Sequence, residues 1–126
     1  MVGNVVNLIY SSFKSVFDSI QVNKTCENNI DYYHIITNKP FNLIISYEYY
    51  DKIWNLYVTY NKNNEIEQVD FSEMKSLSGR KEFYKAQNKY IKNHVGFIKY
   101  IFNSRDADEF YLQFFAQYVK ENMEDL

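Results

Sequence analysis

The sequence predicts an α+β fold: an N-terminal helix, a four-stranded antiparallel meander, and two C-terminal helices packed on one face of the sheet. Three observations predict it. Apolar residues recur at three- and four-residue steps near both ends of the chain, and they alternate one by one through its middle. The links between the alternating runs are short enough to join neighbouring antiparallel strands directly.

The first helix is expected over residues 4–20. Val5, Ile9, Phe13, Val16, Phe17 and Ile20 fall on one side of a helical wheel, and Asn4 can cap its N-terminus by accepting a hydrogen bond from a free backbone N–H. Residues 21–31 are polar and aperiodic, and they read as a loop. Tyr32–Thr37 is rich in β-branched and aromatic residues, and the turn Asn38-Lys39-Pro40 follows it. In Phe41–Tyr50 the residues Phe41, Leu43, Ile45, Tyr47 and Tyr49 share one face, with Asn42, Ser46 and Glu48 on the other. Asp51-Lys52 turns the chain into Ile53–Tyr60, where Trp54, Leu56, Val58 and Tyr60 alternate in the same way. Asn61-Lys62-Asn63-Asn64 is a turn, because Asn tolerates positive φ. Glu65–Met74 is the fourth strand, with Ile66 out of parity with Val69 and Phe71, and a β-bulge would reconcile them.

Ser76-Leu77-Ser78-Gly79 punctuates the chain before a helix over residues 80–102, whose apolar face holds Phe83, Tyr90, Ile91, His94, Ile98 and Ile101. A turn at Asn103-Ser104-Arg105 leads to Asp106 and Glu109, which have the spacing of a capping box. The last helix, residues 107–122, is expected to bury Phe110, Tyr111, Phe114, Phe115, Tyr118 and Val119. No internal repeat and no break in composition divides the 126 residues, so residues 1–126 are read as a single domain.

Composition bounds the function. A chain that is 46% hydrophobic with a net charge of −2 is too apolar for a disordered segment. One cysteine, Cys26, rules out an internal disulfide framework. The N-terminus has no basic leader ahead of an apolar stretch, no run is long and apolar enough for a membrane span, and a cytoplasmic location is expected. The 15 Asn, 12 Lys and 13 Tyr against 2 Arg match A/T-rich codons, so tyrosine abundance alone does not mark a binding surface.

The residues that could carry chemistry are few. Gly3, Gly79 and Gly96 are isolated and form no phosphate loop, and no paired-cysteine or paired-histidine metal motif occurs. No catalytic residue, metal ligand or cofactor is expected, and the chain is read as a non-enzyme. His94, central on an apolar helix face, and His34, mid-strand, are read as structural histidines; with Cys26 they would make a Cys–His site only if the fold brought them together. The pairs Glu65–Glu67 and Glu48–Asp51 suit a solvated strand face better than acid–base work, which needs two environments that separate their pKa values. Lys81, Lys85, Lys89, Lys92 and Lys99 line the side of their helix opposite the apolar face, but the near absence of Arg argues against nucleic acid.

Charge is segregated along the chain. Residues 1–78 carry −3, residues 79–103 carry +5 and residues 104–126 carry −4, the last including the acidic tail Glu121-Asn122-Met123-Glu124-Asp125. Tyr50 and Tyr57 have the opposite parity to Trp54 and Tyr60 and should point away from the core, beside Glu48 and Asp51. Exposed tyrosine among carboxylates has the character of an interface hot spot, and an acidic patch steers a basic partner. Glu48, Tyr50, Asp51, Tyr57, Glu65 and Glu67 are therefore the candidate partner-binding residues.

In size, composition and element order the chain resembles the bacterial toxin-immunity proteins of contact-dependent growth inhibition systems. The resemblance spans the whole chain and implies a protein partner: a cognate toxin domain, often a nuclease, whose basic active-site cleft the immunity protein blocks. Two other readings stand beside it. One is a phage-encoded inhibitor of a host defence nuclease that mimics nucleic acid with the same negative surface. The other is a small-molecule-binding domain or enzyme whose pocket between sheet and helices would be lined by His34, His94 and tyrosines. Edge-to-edge pairing of the strands into a homodimer is a further expectation.

Overall fold

A computed structural model of the chain describes residues 5–73, 80–96 and 107–122. It is α+β, and among the described residues it has three α-helices and one five-stranded antiparallel sheet in the order β1-β2-β3-β4-β5. The strands are β1 (Ile20–Glu27), β2 (Ile30–Thr37), β3 (Phe41–Glu48), β4 (Ile53–Lys62) and β5 (Glu65–Asp70); the helices are α1 (Val5–Phe13), α2 (Arg80–Val95) and α3 (Asp108–Glu121).

The largest difference from expectation is at the start of the sheet. Residues 21–31 are not a loop: they hold most of β1 and the beginning of β2, joined by Asn28-Asn29. Both asparagines have positive φ, 53° and 63°, the geometry of a two-residue hairpin turn whose twist matches that of its strands. The first helix is correspondingly shorter than residues 4–20. It ends at Phe13, whose carbonyl accepts from the N–H groups of Val16 (2.9 Å) and Phe17 (3.2 Å). That last turn keeps Phe13 and Phe17 stacked, ring centres 6.2 Å apart, so the four-residue period outlasts the helix while Ile20 pairs with Thr37 in the sheet.

The meander itself follows the predicted alternation. Tyr33, Ile35, Leu43, Ile45, Tyr47, Trp54, Leu56 and Val58 form the sheet's share of the core, and Val5, Ile9, Phe13, Leu112, Phe115 and Val119 cover them from the helices. No bulge interrupts β5: its register with β4 runs unbroken from Tyr57↔Asp70 to Lys62↔Glu65. Val69 faces inward opposite Val58, and Ile66 simply points away, 78% exposed. Phe71 leaves the strand for a single 3-10 turn, Phe71–Glu73, and is fully buried there.

The helices pack on one face of the sheet. Phe83 joins α2 to α3, with its ring 5.5 Å from Phe114, 6.3 Å from Phe115 and 5.0 Å from Tyr118. The buried stripe of α2 is Phe83, Gln87 and Ile91, and that of α3 includes Leu112, a core position the sequence reading passed over. Phe110, Tyr111 and Tyr118, expected to be buried, are only half-buried. Trp54 ties the sheet to the start of α3, its indole N–H donating to the carboxylate of buried Asp108 at 3.2 Å. Asp108 also sits in the first turn of α3, where a negative charge complements the helix dipole. The cap residue there is Ala107, with no side-chain cap bond. Asp106 of the expected capping box, the punctuation at residues 76–79, the turn at 103–105, Ile98, Ile101, Lys99, Met74 and the tail residues Glu124 and Asp125 lie outside the described residues.

Candidate functional site

Antiparallel register sorts every strand residue onto one of two faces. The inner face carries the core. On the outer face, the row Asn23–His34–Ile44–Tyr57–Asp70 crosses all five strands, and a second row runs Thr25–Tyr32–Ser46–Asn55 beside it. Ile30, Tyr32, His34, Ile44 and Tyr57 are half-buried against one another, Ser46 is buried between them, and Ile36 and Ile53 are 43% and 45% exposed. The middle of this face is thus an apolar and aromatic band, with Tyr84 of α2 close enough to Tyr57 to act on its hydroxyl.

Its charges are of one sign. The outward strand positions hold three carboxylates, Glu27, Glu48 and Asp70, and no lysine or arginine. The two lysines within the strands, Lys24 and Lys62, take inward parity, opposite Tyr33 and Glu65. Two of the carboxylates are locked in place by the backbone. Glu48 accepts from the N–H groups of Tyr50 (2.9 Å) and Asp51 (2.6 Å), closing the β3–β4 turn. Asp70 accepts from the N–H (3.0 Å) and hydroxyl (2.7 Å) of Ser72. Such anchoring orders the side chain and keeps its charge on the face.

The six residues singled out from the sequence fall into two groups. Glu48, Tyr50 and Asp51 stand together at the β3–β4 end of the sheet, with Tyr50 87% exposed, and Tyr57 lies on the outer face of the same strand pair. Glu65 and Glu67 stand at the opposite end of β4, roughly 25 Å away at the strand rise per residue. They also take the inward parity, and Glu67 accepts from the Tyr60 hydroxyl at 3.3 Å. The structure therefore does not gather all six into one patch. It substitutes Glu27, Tyr32, Ile44 and Asp70, which sequence reasoning missed. Glu27 was hidden by the unrecognised β1. Asp70 and Ile44 needed the register, because only pairing brings residues from separate strands into one row.

The surroundings of Tyr57 act on its hydroxyl. Burial pushes its hydroxyl above the usual 10.0, the Asp70 carboxylate pushes it further, and a hydrogen bond with Ser46 pulls partly the other way. Burial likewise raises Tyr90, and burial with Glu121 and Glu82 raises Tyr118. A phenol whose pKa is higher folded than unfolded favours the folded state fully below about 10 and loses that contribution as pH climbs through the folded value. Thermal stability is therefore expected to drop on raising the pH above about 10, and less steeply in a Tyr57→Phe, Tyr90→Phe, Tyr118→Phe variant. Melting curves across the alkaline range check this, and equal slopes would refute it.

Cys26 is exposed, and its hydrogen bond with Asp31 raises its pKa, the reverse of what a nucleophilic thiol needs. Asp31 itself is buried. It accepts from the hydroxyls of Tyr49 and Tyr33 and pairs with Lys24 at 3.7 Å, pinning β1, β2 and β3 at one corner. His34 stands on the outer face with Nε2 3.1 Å from the Thr25 hydroxyl. His94 is not a core residue: it is exposed near the end of α2, Nδ1 2.7 Å from the Tyr90 carbonyl and its ring stacked on Tyr90 at 4.1 Å. The buried stripe of α2 is narrower than the apolar face read from the wheel, and it has run out by that turn. The groove beside His94, about 300 Å³ between α2 and α3, is lined by Tyr90, Phe114 and Tyr118, and His34 is not part of it. Lys81, Lys85, Lys89 and Lys92 are all exposed.

Among the described residues no group of three His, Cys, Asp or Glu side chains is placed to hold a metal, and no helix is long and apolar enough to cross a membrane. Comparison with known proteins finds no matching family model, no matching curated protein and no matching solved structure.

Proposed function

We propose that this chain is a small inhibitor that neutralises a basic protein partner by docking the outer face of its sheet onto it, as an immunity protein does with its cognate toxin domain. The observation that carries the reading is the composition of that face: apolar and aromatic through its middle, carboxylates at its margins, and no cation at any outward strand position. A central apolar patch supplies affinity once desolvated. The carboxylates steer a positively charged partner and set its orientation. Tyr32, Ile44 and Tyr57 are the expected anchors, with Glu27, Glu48, Asp51 and Asp70 as the charged rim and Tyr50 reaching beyond it. A nuclease cleft, which is basic because it binds phosphates, fits this surface. A phage-encoded inhibitor of a host nuclease would use the same face, and the gene beside this one separates the two.

The test is co-expression with the protein encoded by the neighbouring gene. The natural chain is expected to relieve its toxicity and to bind it with an on-rate that falls as salt rises. Ile44→Lys puts a cation at the centre of the face without touching the core, and it should weaken binding by at least about 100-fold. Undiminished protection by a folded Ile44→Lys chain would remove this face from the mechanism.

A further inference from the structure

We infer that two copies of this chain join through β1, edge to edge, so that their sheets run on as one. β1 is the outermost strand, and nearly all of it is exposed. The hairpin closes at Glu27↔Ile30 across the two-residue turn, which makes that pair a hydrogen-bonded one. By alternation Thr25 and Asn23 also turn their backbone groups toward β2, while Val22, Lys24 and Cys26 turn theirs outward. The Val22 N–H shows this direction directly, donating to the Tyr10 hydroxyl at 3.1 Å from outside the sheet. Among the described residues nothing does the same for Lys24 or Cys26.

Edge strands are ordinarily protected by proline, a bulge or a projecting lysine. β1 has no proline and an unbroken register. Its lysine, Lys24, is drawn back to Asp31 at 3.7 Å and lies over the Tyr33 ring at 5.8 Å, so it does not guard the edge.

The edge suits a second copy of itself in an antiparallel register. With the two-fold axis at Thr25, Lys24 of each copy exchanges backbone bonds with Cys26 of the other. Thr25 then faces Thr25, and Asn23 faces Glu27. No like charges meet. Centring the axis on Lys24 would oppose two ammonium groups, and centring it on Asn23 would need the Val22 N–H that Tyr10 already holds. The axis is perpendicular to the sheet, so both outer faces end on the same side. This pairing stands independently of the partner proposed above. Because few side chains are buried, micromolar rather than nanomolar association is expected.

The experiment uses the full chain with Cys26→Ser. Opposed residues that are not hydrogen-bonded across an antiparallel pair have Cα atoms about 4.5 Å apart, within disulfide reach. Thr25→Cys in that background is therefore expected to form a disulfide-linked dimer with oxidised glutathione, while Ile66→Cys, on the opposite edge strand, stays monomeric. Sedimentation velocity of the natural chain should show concentration-dependent dimerisation. Lys24→Pro removes an outward N–H and leaves the β1–β2 ladder intact, so it should weaken dimerisation at least about tenfold with an unchanged circular dichroism spectrum. The inference is overturned if Thr25→Cys cross-links no better than Ile66→Cys, or if the natural chain stays monomeric at all concentrations. Should Lys24→Pro fail to fold, the Thr25→Cys cross-link decides alone.

Discussion

Asp31→Ala is expected to destabilise the fold by about 2–4 kcal/mol, the range for removing a buried, multiply bonded charged group. Asp31 is 3% exposed and serves three strands at once. It is the acceptor shared by the Tyr33 and Tyr49 hydroxyls and the counter-charge of Lys24. Alanine removes the acceptor from both phenols and the partner from a half-exposed lysine. Asp31→Asn keeps the shape and one acceptor oxygen, so it should cost clearly less. Urea denaturation of the two variants measures the difference. Equal midpoints for Asp31→Ala and the natural chain would mean that the hydrophobic contacts of β1–β3 hold that corner unaided.

The second large effect is expected from Phe83→Ala, at about 3–5 kcal/mol for truncating a buried phenylalanine. That is a large fraction of the roughly 5–15 kcal/mol typical of a domain. The ring is 3% exposed and meets three aromatic rings of α3, which makes it the principal bond between the two C-terminal helices. α2 buries little else: Ile91, and Gln87, whose side-chain oxygen has no hydrogen-bond partner. The loss should therefore be local before it is global. Amide hydrogen exchange is expected to quicken across α2 first, with the β2–β4 amides still protected. Uniform acceleration through the sheet would show instead that α2 and the sheet unfold as one unit.

These two sites differ in how far the sequence disclosed them. Phe83 was placed correctly on the buried face of a helix because its period can be read locally. Asp31 falls in an aperiodic stretch that reads as a loop, and its partners come from β1, β2 and the turn after β3, so no local window contains the cluster. The same contrast governs the candidate face. Tyr57 was read as outward-facing from parity alone, and it is. Glu65 and Glu67 group with Glu48 in the sequence because all are acids of one meander, but β4 lies between their strands and is long enough to hold them at opposite ends and on opposite faces.

By itself the sequence determined the α+β class, the order of the predicted meander, and which residues of β3 and β4 face the core, because burial on one face imposes a two-residue period that any chain must display. It did not disclose β1, whose residues from Asn23 to Glu27 are exposed on both sides and leave only Ile20 and Val22 to show an alternation; that strand exists because the Asn28-Asn29 turn and the backbone bonds of β2 create it. Only the tertiary structure decided which side chains from different strands share a row. That choice depends on register, a property of pairs of strands rather than of any one of them, and it is what sets the acids and the apolar band on a face without cations.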